Sequence, residues 1–256
     1  MKHSFIDEYS GLDSFVHRLD PRTKLVASLA VILAILLTPP GAWKVFAVYL
    51  LTLLGLVWLA RLPYKYVLKR SLVIFPFVVM IAIFVPFFKE GQEAWGYDIG
   101  LWHIGITYEG LSVLVNVMIK SWLSMLCLIV LTSSSKFADL LQGMYQLKVP
   151  LIFVQIISFM YRYIFVLADQ AMRMQMARDS RNFGGNRKMI FKTLGNMIGM
   201  LFIRSYERGE RIYAAMLSRG YTGEFPVTHR LRFRLPDAYF ATALVLLLVC
   251  PAVLWW

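Results

Sequence analysis

Two arginines stand in the same local pattern within a strongly basic part of the chain. Arg181 and Arg219 each follow a serine, and each comes shortly before an aromatic residue and a glycine. Aligned in register, residues 173–185 and 211–223 share the identical pairs Arg173/Arg211, Ala177/Ala215, Ser180/Ser218, Arg181/Arg219 and Gly185/Gly223. A guanidinium group makes paired hydrogen bonds to carboxylates or carbonyl groups. Two such groups therefore predict two similar sockets, and hence a dimeric or pseudo-dimeric protein partner.

The same two arginines also stand where helices should end. Glycines such as Gly184 and Gly220 follow them, and glycine tolerates the left-handed backbone that often ends a helix. A basic side chain at this place suits the negative end of the helix dipole. Capping of two helix ends is therefore the structural alternative to docking for Arg181 and Arg219.

Patterns typical of catalysis or metal binding are absent from the sequence. No Gly-Lys dipeptide occurs, so the chain has no phosphate-binding loop for ATP. The four histidines are scattered, and Cys127 and Cys250 lie in apolar runs, so neither a metal site nor a disulfide framework is predicted. No apolar segment carries the paired carboxylates with which a prenyl transferase would hold Mg²⁺. The sequence thus predicts no cofactor and no catalytic residues, and it disfavours a membrane-embedded enzyme.

The composition is typical of a membrane protein. Of the 256 residues, 59% are apolar and 16% charged, and the mean hydropathy is +0.61. Soluble domains carry about 25% charged residues, so we expect an all-α, polytopic membrane protein. The net charge of +12 then reflects basic cytoplasmic loops and not a nucleic-acid partner. Five segments are long and apolar enough, or nearly so, to cross the bilayer: 25–40, 45–60, 71–88, 111–131 and 238–256.

The distribution of basic residues predicts the orientation of these spans. With the N-terminus in the cytoplasm, the inward-facing segments 1–24, 61–70 and 132–237 hold 24 of the 27 Lys and Arg residues. Basic loops stay on the cytoplasmic side, so the C-terminus is expected outside. The chain then divides into a membrane region with four spans (1–131), the cytoplasmic region 132–237, and a last transmembrane helix (238–256).

Two further apolar stretches, 150–168 and 189–203, allow an alternative with seven spans. That alternative places the arginine-rich residues 169–188 outside the cell and separates the two halves of the repeat. We therefore expect long amphipathic helices that lie along the inner membrane surface or beneath the spans. Gly195 and Gly199, four residues apart, would allow two such helices to cross closely.

Lys120 is a cation in the interior of a predicted span, with Asn116 one helical turn away. Ionisable residues at such depth are costly and are candidates for function. Two roles stay open: a bond to carbonyl groups or to Asn116 between packed helices, or a contact with another membrane subunit. A single such lysine gives little support to a self-sufficient channel or secondary transporter.

The chain resembles the transmembrane T component of energy-coupling-factor (ECF) transporters, and in particular the CbiQ type found in cobalt or nickel importers. Four stretches carry the resemblance: Phe-Ile-Asp-Glu-Tyr-Ser at 5–10, His-Arg-Leu-Asp-Pro-Arg-Thr-Lys-Leu at 17–25, Phe-Met-Tyr-Arg-Tyr at 159–163, and Ala-Met-Leu-Ser-Arg-Gly-Tyr at 215–221. The opening stretch is more similar to the metal-transport branch than to the vitamin branch, which stays the alternative.

The resemblance implies a non-catalytic subunit of the cytoplasmic membrane that assembles with two ABC-type ATPase subunits and a small substrate-binding membrane subunit. In this family, two cytoplasmic coupling helices end in short Ala-Arg-Gly-like signatures, and each signature docks in a groove of one ATPase. Closure of the ATPase pair is passed to the substrate-binding subunit, which topples and releases its substrate inward. ATP hydrolysis then belongs to the ATPases, and any metal ion to the substrate-binding subunit.

By position, the second signature in this chain is Ser218-Arg219-Gly220. The first is Ser180-Arg181-Asn182, and Ala177-Arg178-Asp179 is a competing frame three residues upstream. Neither frame has the glycine of the family pattern, and the internal repeat favours Arg181. The resemblance also makes Lys120 a candidate contact with the substrate-binding subunit.

Overall fold

The computed structural model describes residues 12–73, 75–82, 93–99, 102–181, 187–223 and 235–255. In chain order its helices are α1 (Pro21–Leu37), α2 (Trp43–Leu59), α3 (Tyr64–Leu72), α4 (Phe75–Ala82), α5 (Tyr108–Ser134), α6 (Phe137–Gln146), α7 (Leu151–Asp179), α8 (Arg187–Leu217) and α9 (Leu235–Trp255). The predicted all-α class is confirmed. Within the described residues it has one addition, an antiparallel hairpin of β1 (Glu93–Ile99) and β2 (Trp102–Thr107).

The hairpin lies between the predicted spans 71–88 and 111–131, where the predicted orientation leaves a loop outside the cell. Both strands place aromatic or β-branched residues at every second position, which is the pattern of a strand. The residues concerned are Trp95, Tyr97, Ile99, Trp102, Ile104 and Ile106. The sequence therefore carried the signal for this hairpin, although the segment was expected only as a loop.

The third predicted span does not begin at residue 71. Instead α3 ends at Leu72, and α4 starts at Phe75 with Pro76 in its first turn. Proline lacks a backbone N–H, and its ring clashes with the carbonyl group four residues earlier, which for Pro76 is that of Leu72. The helix is consequently interrupted, and α3 is a separate short helix. Residues 83–88 of the predicted span lie outside the described residues.

Contacts between residues divide the chain into two compact units. The two-helix unit spans Lys148–Arg230 and contains α7 and α8, whereas the core unit comprises Lys2–Leu147 and Leu231–Trp256. The region boundaries predicted from the sequence, at 131/132 and 237/238, follow the expected membrane surface and not the packing of the helices. They therefore stay a prediction.

Two helices in the described part of the chain, α5 and α7, are long and apolar enough to cross a membrane, and α2 is apolar but shorter. The first of them, α5, contains the predicted span 111–131. The stretch 150–168 lies in α7, so its length and composition favour the seven-span alternative at this helix. The arginines that follow it favour the five-span arrangement.

The core unit is built around α1, α2 and α5, which bury apolar side chains against one another. Ile35 of α1, Leu53 and Val57 of α2, and Leu123 and Ile129 of α5 are almost fully buried. Helix α9 packs against α1 and α2. Helices α1, α2, α5 and α9, which contain most of four predicted spans, therefore share one apolar core.

Helix α1 begins with Asp20 as its N-cap and Pro21 as its first residue, and both residue types favour the start of a helix. The Asp20 carboxylate accepts a hydrogen bond of 3.0 Å from the backbone N–H of Arg22. The backbone N–H of Asp20 in turn donates to Oδ1 of Asp237, at 2.8 Å, and Asp237 belongs to the first turn of α9. The starts of α1 and α9 are thus joined by a buried hydrogen bond.

Lys24, one turn into α1, is buried although it is charged. Its Nζ donates to the carbonyl oxygens of Ser134, at 2.9 Å, and His17, at 3.1 Å. The carboxylates of Asp139, Asp237 and Asp20 interact favourably with its charge. Lys24 therefore links the beginning of α1 to the end of α5. Its hydrogen bonds and the three carboxylates offset part of the cost of burying the charge, and burial still lowers the pKa of Lys24 to about 8.

We expect Lys24→Met to destabilise the core unit, because two carbonyl groups lose their donor and three carboxylates lose their cation. Removing one partner of a buried charged cluster costs about 3 kcal/mol, which should lower the melting temperature of a chain of this size by roughly 5–10 °C. Thermal unfolding of the detergent-solubilised chain measures the change. Lys44→Met, at an exposed position, is the matched control and should leave the melting temperature unchanged. Equal melting temperatures for the two variants would show that the Lys24 bonds contribute nothing.

Candidate functional site

The two predicted signatures lie at the ends of an antiparallel helix pair. Near the start of α7, Nε2 of Gln155 donates to the carbonyl oxygen of Gly223, at 2.9 Å, beyond the end of α8. The hydroxyl of Tyr221 donates to Oε1 of the same glutamine, at 3.3 Å. The start of α7 therefore faces the end of α8.

At the other end of the pair, the last turn of α7 faces the first turns of α8. Ala177, Arg178 and Arg181 line a crevice of about 370 Å³ together with Met189 and Met197 of α8. Helix α8 has 31 residues, and at 1.5 Å per residue it is roughly 45 Å long. The antiparallel arrangement thus separates Arg181 from Arg219 by about the length of a helix.

The second signature closes α8 with a glycine turn. The N–H of Gly220 donates to the carbonyl group of Leu217, at 3.0 Å, and the N–H of Tyr221 donates to that of Met216, at 3.1 Å. Gly220 has φ +80, which only glycine adopts without strain. These two bonds form the Schellman motif, which satisfies the last carbonyl groups of a helix.

The first signature closes α7 with its serine. Oγ of Ser180 donates to the carbonyl oxygens of Met176, at 2.8 Å, and Ala177, at 3.3 Å. In the second signature, Oγ of Ser218 donates in the same way to Ala215, at 3.0 Å. The pairs Ala177/Ala215 and Ser180/Ser218 of the sequence repeat therefore make the same local hydrogen bond.

The two arginines of the first signature differ in their surroundings. Nε and Nη2 of Arg178 both donate to Oδ1 of Asp179, at 2.9 and 2.6 Å. Arg181 is exposed, and no ion pair of its side chain occurs within the described residues. Asn182, the third residue of this signature, lies outside the described residues.

Arg219 is also exposed, at the end of α8. In both signatures the described caps are made by serine hydroxyls and backbone N–H groups. Within the described residues, no side-chain hydrogen bond from Arg181 or Arg219 closes a helix end. Because the described caps do not use the arginine side chains, both guanidinium groups are available for a partner.

Lys120 lies in α5, and its Nζ donates to the carbonyl oxygen of Leu36, at 2.9 Å, in the last turn of α1. A cation at this place suits the negative end of α1. Asn116 is buried one turn away, and its Oδ1 has no hydrogen-bond partner within the described residues. The geometry therefore supports the first of the two roles considered for Lys120, a bond to a carbonyl group between packed helices.

Gly195 and Gly199 do not bring two helices together in the described structure. A Cβ atom built on either glycine would have no neighbouring atom within 4 Å, apart from the backbone of its own helix. The expected close crossing at these glycines is therefore wrong, and α8 leaves this stretch of its surface open. The described residues also contain no group of three His, Cys, Asp or Glu side chains that could hold a metal ion.

Gln155 has a structural role in the helix pair that the sequence analysis does not predict. It is a polar residue in the apolar stretch 150–168, and it fixes the start of α7 to the end of α8. A lone amide in such a stretch needs a hydrogen-bonding partner when it is partly buried. An isolated glutamine in an apolar stretch is therefore the sequence signal that could have predicted this contact.

Known proteins resemble the chain over most of its length. A family model described as a cobalt transport protein, CbiQ, matches residues 13–229, which include both signatures. An uncharacterized protein of Methanocaldococcus jannaschii is 28% identical over 248 residues, or 92% of this chain and 81% of the relative. The energy-coupling factor transporter transmembrane protein EcfT of Lactococcus lactis subsp. cremoris is 26% identical, over 100% of this chain and 98% of its own length. The EcfT protein of Listeria innocua is 27% identical over the same shares of both chains.

We expect Gly220→Ala to loosen the end of α8, because alanine is strained at this left-handed position by roughly 1 kcal/mol. Hydrogen exchange of the amides of residues 217–221 should become about fivefold faster. Gly209→Ala is the matched control, since a Cβ atom there meets open space and alanine favours the helix interior. Equal exchange at residues 217–221 in both variants would contradict the proposed role of Gly220.

Proposed function

The chain belongs to the CbiQ family of cobalt transport proteins, and we propose that it is the transmembrane coupling component of an ECF-type, ATP-driven importer. In this role the chain catalyses no reaction. It passes the movement of two ABC-type ATPase subunits to a separate, small substrate-binding subunit in the membrane. ATP hydrolysis takes place on the ATPases.

The observation that carries this proposal is the separation of two similar, arginine-bearing helix ends by an antiparallel helix pair. Two guanidinium groups roughly 45 Å apart cannot enter one groove, but they suit two equivalent grooves on the two members of an ATPase pair. The common Ser-to-Ala hydrogen bond makes the two helix ends alike up to the arginine. Similar ends suit sockets of similar form.

Within the first signature, we assign docking to Arg181 and not to Arg178. Arg178 already uses Nε and Nη2 on the carboxylate of Asp179, so docking through it requires breaking that pair. Arg181 is exposed and matches Arg219 in the repeat. Docking through Arg181 therefore needs no rearrangement of the described side chains.

The apolar surface of the two-helix unit supports contacts with further subunits. Among the described residues of this unit, Val154 is the only buried apolar side chain in α7, and α8 buries none. Phe191, Phe202 and Tyr206 of α8 are 73%, 70% and 62% exposed. Exposed aromatic side chains in such number are typical of an interaction surface. We assign this surface to the membrane and to the substrate-binding subunit.

We propose cobalt or nickel ions as the cargo, because the matching family is described as a cobalt transport protein. A vitamin stays the alternative cargo. A self-sufficient channel or secondary transporter is disfavoured, because Lys120 bonds to a helix end. The ion-binding or vitamin-binding pocket belongs to the separate substrate-binding subunit.

The chain is a membrane component of a transporter, and we propose a multi-pass arrangement in the cytoplasmic membrane with its N-terminus inside and its C-terminus outside. The distribution of basic residues supports this orientation. Both arginine signatures then lie on the cytoplasmic side, where ATP-binding subunits are found.

We expect the double variant Arg181→Glu/Arg219→Glu to lose the ATPase subunits during purification, because each substitution places a carboxylate where a socket accepts a guanidinium group. Loss of one buried charged contact of this kind weakens binding by roughly 30-fold or more. The measurement is co-purification of the detergent-solubilised chain with candidate ABC-type ATPases. Each single variant should bind more weakly than the wild type and more strongly than the double variant.

Arg204→Glu reverses a charge on α8 outside both signatures, and it is the matched control that should retain the ATPases. Arg178→Glu distinguishes the two frames of the first signature and should also retain them. Intact binding in the double variant, at normal expression and membrane insertion, would overturn the docking mechanism.

A further inference from the structure

Helix α3 presents four distinct faces, although it has only nine residues. Side chains four positions apart lie above one another on a helix, so the faces follow directly from the sequence. The buried face consists of Val67 and Ser71, and an exposed apolar edge consists of Tyr64, Leu68 and Leu72. An exposed basic edge consists of Lys65 and Lys69, and Tyr66 and Arg70 continue it. The apolar edge is 56%, 54% and 53% exposed at its three residues.

The basic residues of α3 have no acidic counterpart near them. No Asp or Glu occurs in the sequence between Asp20 and Glu90, so α1 to α4 carry none within the helices. Helix α3 packs against α4 and α5, and the acidic residue of α5, Glu109, lies in its first turn. No ion pair of the α3 cations occurs within the described residues. The positive charge of this surface is therefore not neutralised by the described chain.

Two local features concern the arginines in α3 and in the turn before it. Nη1 of Arg70 donates to the hydroxyl of Tyr66, and its guanidinium carbon lies 5.7 Å from the centre of the tyrosine ring. Arg61, in the turn before α3, is exposed and has φ +53, a left-handed conformation that costs energy in any residue with a Cβ atom. Glycine would relieve this strain, and the chain instead carries an arginine there.

We propose that Arg61, Lys65, Lys69 and Arg70, here called the α3 basic surface, bind the headgroups of anionic phospholipids. The guanidinium and ammonium groups suit the negative phosphate diester. The adjoining apolar edge places Tyr64, Leu68 and Leu72 against the acyl chains, as in helices that lie in the membrane interface. An exposed apolar edge beside an unneutralised basic edge matches a lipid, which has both acyl chains and an anionic headgroup. This inference does not depend on the proposed coupling role.

The test is photo-labelling of the full chain in bilayers of phosphatidylcholine that contain either photoactivatable phosphatidylglycerol or photoactivatable phosphatidylcholine at the same mole fraction. Labelled peptides are mapped after chymotryptic digestion, because the substitutions below leave the tyrosine and leucine cleavage sites intact. In the wild type, residues 61–73 should be labelled more strongly by phosphatidylglycerol. Lys65→Gln/Lys69→Gln/Arg70→Gln should lower that labelling by roughly 100-fold, since each of the three basic residues near an anionic membrane surface contributes about fivefold to binding. Labelling by phosphatidylcholine should not change.

Two further variants make the result specific. Arg61→Gly removes one charge at a position where glycine fits the backbone, and we expect about a fivefold loss of phosphatidylglycerol labelling without loss of folding. Lys188→Gln/Lys192→Gln/Arg204→Gln removes the same number of charges from α8, and it should leave the labelling of residues 61–73 unchanged.

Equal labelling of the wild type by both lipids would overturn the proposal. So would a triple α3 variant that retains the preference, or an α8 variant that loses it to the same extent. If neither lipid labels residues 61–73 and an ATPase protects them instead, the α3 basic surface is a protein contact and the lipid proposal is wrong.

Discussion

The antiparallel packing of α7 on α8 is the constraint on which the proposed coupling role depends. A parallel pair would place both carboxyl ends side by side, so that both arginines would reach the same groove. In the antiparallel pair, Gln155 fixes one end through Gly223 and Tyr221. The crevice at the other end contains Met189 and Met197, and methionine adapts its shape to a partner at low cost. One end is thus held by directional hydrogen bonds, and the other can adjust to a socket.

The core unit is organised by a different kind of interaction, a buried polar cluster at the start of α1. Asp20 and Lys24 join the first turn of α1 to Asp237 of α9 and to Ser134 at the end of α5. In the proposed orientation all these helix ends lie on the cytoplasmic side of the membrane.

Local features of the structure were predictable from the sequence, whereas those that depend on tertiary contacts were not. The Asp20 cap, the Pro21 start and the equivalence of the two signatures follow from residue types and spacing. Pro76 also carried a clear signal for the break after Leu72, but the surrounding apolar run concealed it. The choice between Arg178 and Arg181 depends on a side-chain pair with Asp179, and the antiparallel direction depends on packing. Neither is determined by local sequence.

The most direct test of the central claim is whether one chain contacts two ATPase copies at once, one at each signature. A photo-cross-linking amino acid at position 178, at position 222, or at both leaves Arg181 and Arg219 in place. In the assembled complex, each single substitution should give the mass of the chain with one ATPase subunit, and the double substitution should give the mass with two. A double-substituted chain that never links to more than one ATPase subunit, while both single substitutions link, would contradict the account, because both signatures would then share one socket.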